Sequence, residues 1–548
     1  MQMGIRGNAA GLALAISSAF GTATAQVTPG QVGDTLKRPE TLRATPAEPQ
    51  LDQARTSAPA AVAAGGKQVT VSRFEFAGNT LFSADELQTV LASYTNRPVT
   101  LLELYEAADR VADFYVSRGY TLASVTIPPQ KISNGAVQLQ VSEGRIAKIA
   151  VENNDNYQPE QIRRYFPDNA PGSVYRGSEV EDSLRTLNTL PGLKARAVLK
   201  PGELYGTTDV VVRVEEKPIE GSLNVDNYGR KDIGELRVSA QAQFNNPLKV
   251  EDQLTLLAMR SEDGLLNYGY VEYSLPLNFS GTRLRASYGD AEFDVVDSPI
   301  DGRNRAGRLV VEQALLRKGP TLLSVSGGVS RTLANADIFG NTTVNSTAIS
   351  LLELGAVLTH SYQNLAVTQL STTIHSNFES QDGEDLTGNL GQVHHGKELL
   401  RWEVDVQHLQ PLFWQTQLLA HVNGVYSPDP LVDTEAFSIG GPASIRGYPT
   451  GEIRGDRGYF GSLTLRRPFG WAGVLWSPRL FVEAGSTFLV DAPPGADTKE
   501  SLTSTGLGTD IAWDRVTIRA DWAIPLDNRT VSDDRDHSRV FASLNVAF

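Results

Sequence analysis

The sequence predicts a transmembrane antiparallel β-barrel of about sixteen strands preceded by two small α+β domains. Two observations predict it: apolar and charged residues alternate with period two through 218–548, and a βααββ pattern occurs twice between residues 67 and 217. The extreme N-terminus adds a third, because it has the layout of a secretory signal.

That signal occupies residues 1–25. Arg6 precedes the apolar run Ala9 to Phe20, and Ala23-Thr24-Ala25 fits a signal-peptidase site, so cleavage is expected before Gln26. The run is too short to span a bilayer, and no other stretch holds the ~20 consecutive apolar residues that a membrane helix needs. An inner-membrane helical protein is excluded. Residues 26–66 are rich in Pro, Ala, Thr and Gln, with too few large apolar residues for a core. They read as a linker, an unstructured tether, with a short helix around Val32 to Lys37 as the alternative.

Composition removes several classes of function. There is no cysteine, so disulfides, thiolate metal sites and a cysteine nucleophile are absent. A net charge of −14 argues against a nucleic-acid partner, whose phosphates need a basic face. Adjacent residues on a strand face opposite ways, so His394-His395 do not form a metal site. No phosphate loop, G-x-S-x-G or H-E-x-x-H motif occurs, and neither catalytic residues, metal nor cofactor is expected. The chain does not read as an enzyme.

Over 67–143 a strand through Val69, Val71, Phe74 and Phe76 ends at the Gly78-Asn79 turn. Ser83 and Glu86 have capping-box spacing before a helix whose apolar face is Leu87, Val90 and Leu91. A second helix, Leu102 to Arg118, stops at Gly119. Strands Leu122 to Ile127 and Ala136 to Val141 follow, the latter after the Asn134-Gly135 turn. The order recurs over 144–217 as strand Arg145 to Val151, helices Pro159 to Phe166 and Ser178 to Thr189, then strands Leu193 to Leu199 and Asp209 to Val214.

From Pro218 alternation takes over. Leu400, Trp402, Val404 and Val406 alternate with Arg401, Glu403, Asp405 and Gln407, and Val516, Ile518, Ala520 and Trp522 with Thr517, Arg519 and Asp521. A soluble sandwich also alternates. Strands of roughly 9 to 11 residues, tight turns such as Asn245-Asn246-Pro247 and long polar ones such as Glu379 to Lys397 suit a membrane barrel instead. The last strand carries Val540, Ala542, Leu544, Val546 and Phe548 on one face.

Several motifs carry a family resemblance. Phe76-x-Gly78-Asn79, Gly119-Tyr120, Gly135-x-Val137 and Glu143-Gly144 resemble polypeptide-transport-associated (POTRA) domains, so 67–143 and 144–217 look like two in tandem. The stretch 437–448, ending Ile445-Arg446-Gly447-Tyr448, with Gly455 to Tyr459 beyond it, resembles the lumen-folded loop of the outer-membrane assembly and two-partner secretion superfamily. Arg479 to Gly485 stands where that family has its F-x-D-x-G strand, with Glu483 in place of the usual Asp. Arg519 to Leu526 resembles the penultimate strand, and the terminal Phe548 an insertion signal.

The resemblance covers residues 67–548 and implies a two-partner secretion transporter in the outer membrane, with its POTRA domains in the periplasm. It implies export, without ATP, of a large unfolded exoprotein that has a β-helical N-terminal secretion domain. It also implies outer-membrane lipid and the barrel-assembly machinery as partners during insertion. Alternation places Glu483 in the lumen, where its carboxylate can take the Arg446 guanidinium in a bidentate contact, with Asp521 as the second candidate. A solvated loop arginine and an unspecific lumen carboxylate are the bland alternatives. An exposed edge can accept an extended chain as an added strand, which makes Leu122, Val125 and Ile127, or Val137, Leu139 and Val141, candidate substrate contacts. A barrel-assembly factor, and a passive porin or ligand receptor, are the competing functions.

Overall fold

The computed structural model describes residues 27–36, 51–52, 68–167, 170–317, 319–340, 342–378, 382–385, 393–395, 398–492, 497–527 and 538–548. The expected signal segment, most of the expected linker and the side chains of His394 and His395 lie outside the described residues. The chain divides into two compact units, one running from Pro46 to Lys217 and the other comprising Pro218–Phe548 together with the N-terminal segment.

The first unit holds the βααββ order twice. Its first copy runs Arg73–Ala77, helices Ala84–Val90 and Leu101–Ser117, then strands Ser124–Thr126 and Ala136–Ser142. Both helices start on capping boxes, Ser83 with Glu86 and Thr100 with Glu103, which satisfy amides that have no partner inside the helix. Leu87, Leu104, Val111 and Tyr115 then pack on Val137, Leu139 and Val141. A short strand between the helices, Arg97–Val99, pairs with Val69–Val71. Three residues interrupted by Pro98 gave no alternation to read.

The last strand of each copy is central. Ala136–Ser142 runs parallel to Arg73–Ala77 and antiparallel to Ser124–Thr126. In the second copy Thr207–Glu216 lies between Arg145–Glu152 and Leu193–Pro201 in the same senses. The outer edge of Leu193–Pro201 is covered at Ala197 and Val198 by Leu51–Asp52, in parallel.

One carboxylate closes each copy. Glu143, whose side chain is only 1% exposed, accepts the amides of Thr80 and Leu81 at 2.6 and 2.8 Å and the Tyr115 hydroxyl at 3.2 Å. In the same place in the second copy, Glu216 accepts the amides of Asp155 and Tyr157 at 2.9 and 3.1 Å. Glu143→Ala leaves partly buried amides without their carboxylate acceptor at ~1–3 kcal/mol, so exchange at Thr80 and Leu81 is expected to quicken by about one to two orders of magnitude by hydrogen-exchange mass spectrometry.

Acid acts on the first copy through Glu103. The Thr100 amide and then the Arg97 guanidinium, 2.6 Å away, hold its carboxyl down at about 2. A depressed folded value stabilises above the unfolded pKa, ~4.3, and that contribution fades as pH falls through the folded one. Glu103→Gln is therefore expected to blunt the acid loss of helix Leu101–Ser117 below pH ~4.3, followed by hydrogen exchange.

The second unit is a closed barrel with 16 wall positions, from Ile219–Asp226 to Arg539–Ala547. Every neighbour is antiparallel, and closure pairs Ser222–Asp226 with Ser543–Ala547, Gly221 and Phe548 exchanging backbone hydrogen bonds at 2.9 Å. Leu223, Val238, Leu309, Trp402, Val482 and Trp522 are exposed on the outer face, whereas Arg237, Glu353, Arg401, Glu483 and Asp521 are covered on the inner one. That is the alternation of a barrel whose outside meets lipid.

The tether reading of 26–66 is corrected over its described N-terminal part. Pro29–Leu36 is a helix, starting three residues earlier than the segment read as the alternative, and it is buried inside the barrel. Val27 and Val32 join Ile233, Leu266, Phe293, Ile300 and Ile338. The remaining surroundings are polar, so the helix buries Thr28, Gln31, Asp34 and Thr35 and has a composition that resembles a linker.

Candidate functional site: the lumen loop and its wall

The loop after strand Gln417–Tyr426 folds inward as a hairpin, Phe437–Ile439 pairing with Ile453–Gly455. Asp456, 1% exposed, fastens its base by accepting the amides of Leu431 and Val490 at 2.7 and 2.6 Å. Ile445 and Tyr448 are buried with Phe437, Ile439, Ile453 and Phe460. The Tyr448 hydroxyl donates to Thr503 O at 3.0 Å and to Asp527 at 3.3 Å.

The Arg446 guanidinium lands where the alternation of strand Val474–Phe488 aims Glu483. Its Nε and Nη2 donate to Glu483 Oε1 at 2.8 and 2.5 Å, and its backbone amide donates to Oε2 at 2.6 Å. Nη1 lies 3.3 Å from Asp521, so both sequence-derived partners meet the one arginine. The guanidinium stacks over the Phe481 ring, 3.4 Å from its centroid. Glutamate in place of aspartate therefore still reaches, with both of its oxygens engaged. Asp521 continues into a chain of alternating charge on the wall: Arg479 donates to it at 2.8 Å and also reaches Asp510, which accepts from Arg519 at 2.8 Å.

Gly447 permits this approach. Its φ is +99°, and a Cβ there would lie 3.2 Å from Pro525 N and 3.4 Å from Ser504 Cβ. Gly447→Val is expected to cost ~1–3 kcal/mol locally and to loosen the loop, read as proteolytic cleavage between 440 and 452 in intact cells.

A second set of contacts, which the sequence reading missed, ties the N-terminal helix to the same loop. Asp433 accepts Thr28 Oγ1 at 2.9 Å and the Gly30 amide at 2.6 Å, an anion on the positive end of the helix. Arg454 donates to Asp34 at 3.0 Å and to Asp433 O. A Cβ on Gly30 would collide with Arg454 and Asp433, which accounts for glycine after Pro29. On the wall, Arg237 bonds Asp226 at 2.7 Å and Thr35 O, while Arg230 bonds Thr450 O at 2.8 Å. The only sequence signal for this set was charge at Asp433 and Arg454 inside a loop already marked by its glycines. Helix, loop and wall still leave a polar cavity of ≈510 Å³, lined in part by Arg401, Glu403, Asp405, His421 and Thr434.

The proposed substrate contacts divide. Val137, Leu139 and Val141 belong to a strand paired on both sides and are buried in the domain core, so the edge assignment is corrected for them. Their alternation reflects burial against the helices. Val125 lies on the edge strand Ser124–Thr126 and Ile127 just beyond it, both half-buried against the same core. Leu122 precedes the strand and packs on the core of the second copy.

Comparison with known proteins agrees with this architecture. The family model described as haemolysin secretion/activation protein ShlB/FhaC/HecB matches residues 206–511, and a ShlB-type POTRA domain matches 69–144. The chain is 24% identical over 422 residues to the outer membrane transporter CdiB of Escherichia coli O6:K15:H31, covering 74% of this chain and 70% of that one. It is 26% identical over 490 residues to the hemolysin transporter protein ShlB of Serratia marcescens, covering 85% and 82%. The solved structure of CdiB from Escherichia coli superposes with a TM-score of 0.66 at 22% identity, over 100% of both chains. The protein is an outer-membrane transporter of two-partner secretion, with its POTRA domains in the periplasm. With more than half of its length matched by the family model, the chain belongs to the haemolysin secretion/activation protein ShlB/FhaC/HecB family.

Proposed function

We propose that this transporter carries a single large exoprotein, unfolded and bearing a β-helical N-terminal secretion domain, and that its lumen rests closed by the Pro29–Leu36 helix. In this reading the Arg446 loop stays locked to the wall while the helix leaves, and the lumen then admits an extended chain. The observation that carries it is the contrast between the two attachments. Arg446 makes three hydrogen bonds to one buried carboxylate of the wall, whereas the helix is held by an apolar cluster around Val32 and by polar contacts to a loop and to wall side chains. Folding of the exoprotein outside, rather than a nucleotide, drives transport. The barrel itself enters outer-membrane lipid through the barrel-assembly machinery. A passive porin fits less well, because a helix and a hairpin occupy the lumen.

The test is secretion of large exoproteins by cells with and without the chain, while total outer-membrane barrel content is followed in parallel. Loss of one such exoprotein in an otherwise normal membrane supports the reading. A general loss of barrels means an assembly factor instead.

A further inference from the structure

One imidazole of the lumen wall faces the loop segment that seats the helix. His375 is on the inner face of strand Val367–Asn377, in register between Glu353 of Thr342–Ser361 and Arg401 of Leu400–Pro411. Ile374, on the opposite parity, is 44% exposed, whereas the His375 side chain is 17% exposed. Both wall neighbours are already engaged. Glu353 accepts Arg308 Nε at 2.6 Å, and Arg401 contacts Glu403 at 2.8 Å. Farther along the wall, Asp405 and His421 meet each other at 2.6 Å.

The loop brings Glu435 to this place. It ends the short 3-10 turn Asp433–Glu435, in which Asp433 holds Thr28 and Gly30 of the helix and lies 3.6 Å from Arg454. Glu435, its side chain 13% exposed, borders the polar lumen cavity. Its Oε2 lies 3.7 Å from His375 Nδ1, and among the described residues no other cationic side chain comes within ion-pair distance of it. The Nδ1 atom is shut off from solvent and has no hydrogen-bond partner among the described residues.

That pair has two states of charge. Around the ring stand the carboxylates of Glu353, Glu403 and Glu435 against the guanidiniums of Arg308 and Arg401, three against two, and one proton on His375 cancels the difference. With the imidazole neutral, Glu435 is a mostly buried carboxylate without a counter-charge, which is costly. With it protonated, both ring nitrogens donate, and a small side-chain rotation turns the 3.7 Å separation into a charge-assisted hydrogen bond. An ordinary imidazole changes charge near pH ~6.5. We propose that His375 is a proton-operated latch: protonated, it ties Glu435 to the wall and so holds the helix seat at Asp433, and deprotonated it lets both loosen. The tie is present below the imidazole pKa and is lost as pH rises through it. Its effect on the lumen rests on the reading that the helix closes it; the tie between loop and wall does not.

The test follows hydrogen exchange over residues 432–436 in the full-length protein in detergent, where the Glu435 amide donates to Val432 O at 2.9 Å and the Ala436 amide to Asp433 O at 3.3 Å. Each rate is divided by that of His375→Gln at the same pH, which removes the intrinsic pH dependence of exchange. The ratio is expected to change about tenfold between pH ~5.5 and ~7.5, with the parent the better protected in acid. Glu435→Gln is expected to exchange as His375→Gln does, and His421→Gln to keep the parental step. A constant ratio, a step that survives in Glu435→Gln, or one that vanishes in His421→Gln overturns the latch. If His375→Gln does not give a heat-modifiable folded barrel, Glu435→Gln serves as the reference and the same outcomes decide. Openings of the parent in planar bilayers are expected to become more frequent over the same rise in pH. A step in exchange without one in openings supports the latch and overturns closure by the helix instead.

Discussion

Arg446→Ala is expected to stop export while the barrel still reaches the outer membrane. The arginine side chain is 11% exposed and its partner Glu483 2%, so removing one member leaves an uncompensated buried carboxylate, at ~3–5 kcal/mol. That penalty falls on the loop. The ladder of 16 wall positions does not pass through the hairpin, and closure between the first and last strands is made elsewhere. Folded barrel measured by heat-modifiable mobility is therefore expected to stay near the parental level, while exoprotein in the medium falls by at least about tenfold, the equivalent of 1.4 kcal/mol in a two-state loop equilibrium. Glu483→Gln keeps an acceptor for the Arg446 amide and loses the charge, so it is expected to fall between parent and Arg446→Ala. Parental secretion by Arg446→Ala would remove the lock from the mechanism.

Removal of residues 27–36 is expected to turn the closed lumen into an ion channel. The helix fills space beside Ile233, Leu266 and Phe293 and covers Arg237, Asp433 and Arg454. Without it those charges face water along the barrel axis. Single-channel conductance in planar bilayers is expected to rise severalfold over the parent, and Arg454→Ala, which removes the Arg454–Asp34 ion pair but leaves the helix present, to give brief openings to the same level. A deletion that conducts as the parent does would mean that the hairpin, not the helix, closes the lumen.

Much of this arrangement could be read from residue order because barrels and POTRA domains write themselves in local patterns. Alternation placed Glu483 and Asp521 on the face opposite the apolar one, which follows from strand geometry alone. The helix could not be read the same way. A helix in water needs an apolar stripe to be noticed, and Pro29–Leu36 docks on charged loops, so its buried residues include Thr28, Gln31, Asp34 and Thr35. The misread edge at Val137 to Val141 has the converse cause. An alternating strand announces a covered face without saying how many neighbours it has, and only the parallel pairing with Arg73–Ala77 makes it central.

The lumen contacts also set an order of events during biogenesis. Thr28 and Asp433 are 405 residues apart in the chain, and the wall groups that receive Arg446, Gly447 and Tyr448 all come from residue 481 onward. Contacts of such separation form last, since each must wait for the loop between its ends to close. A chain without its C-terminal strands could therefore not lock its hairpin. Locking of the hairpin thus depends on the same C-terminal strands that close the wall, so the loop is fastened only in a barrel whose wall is complete.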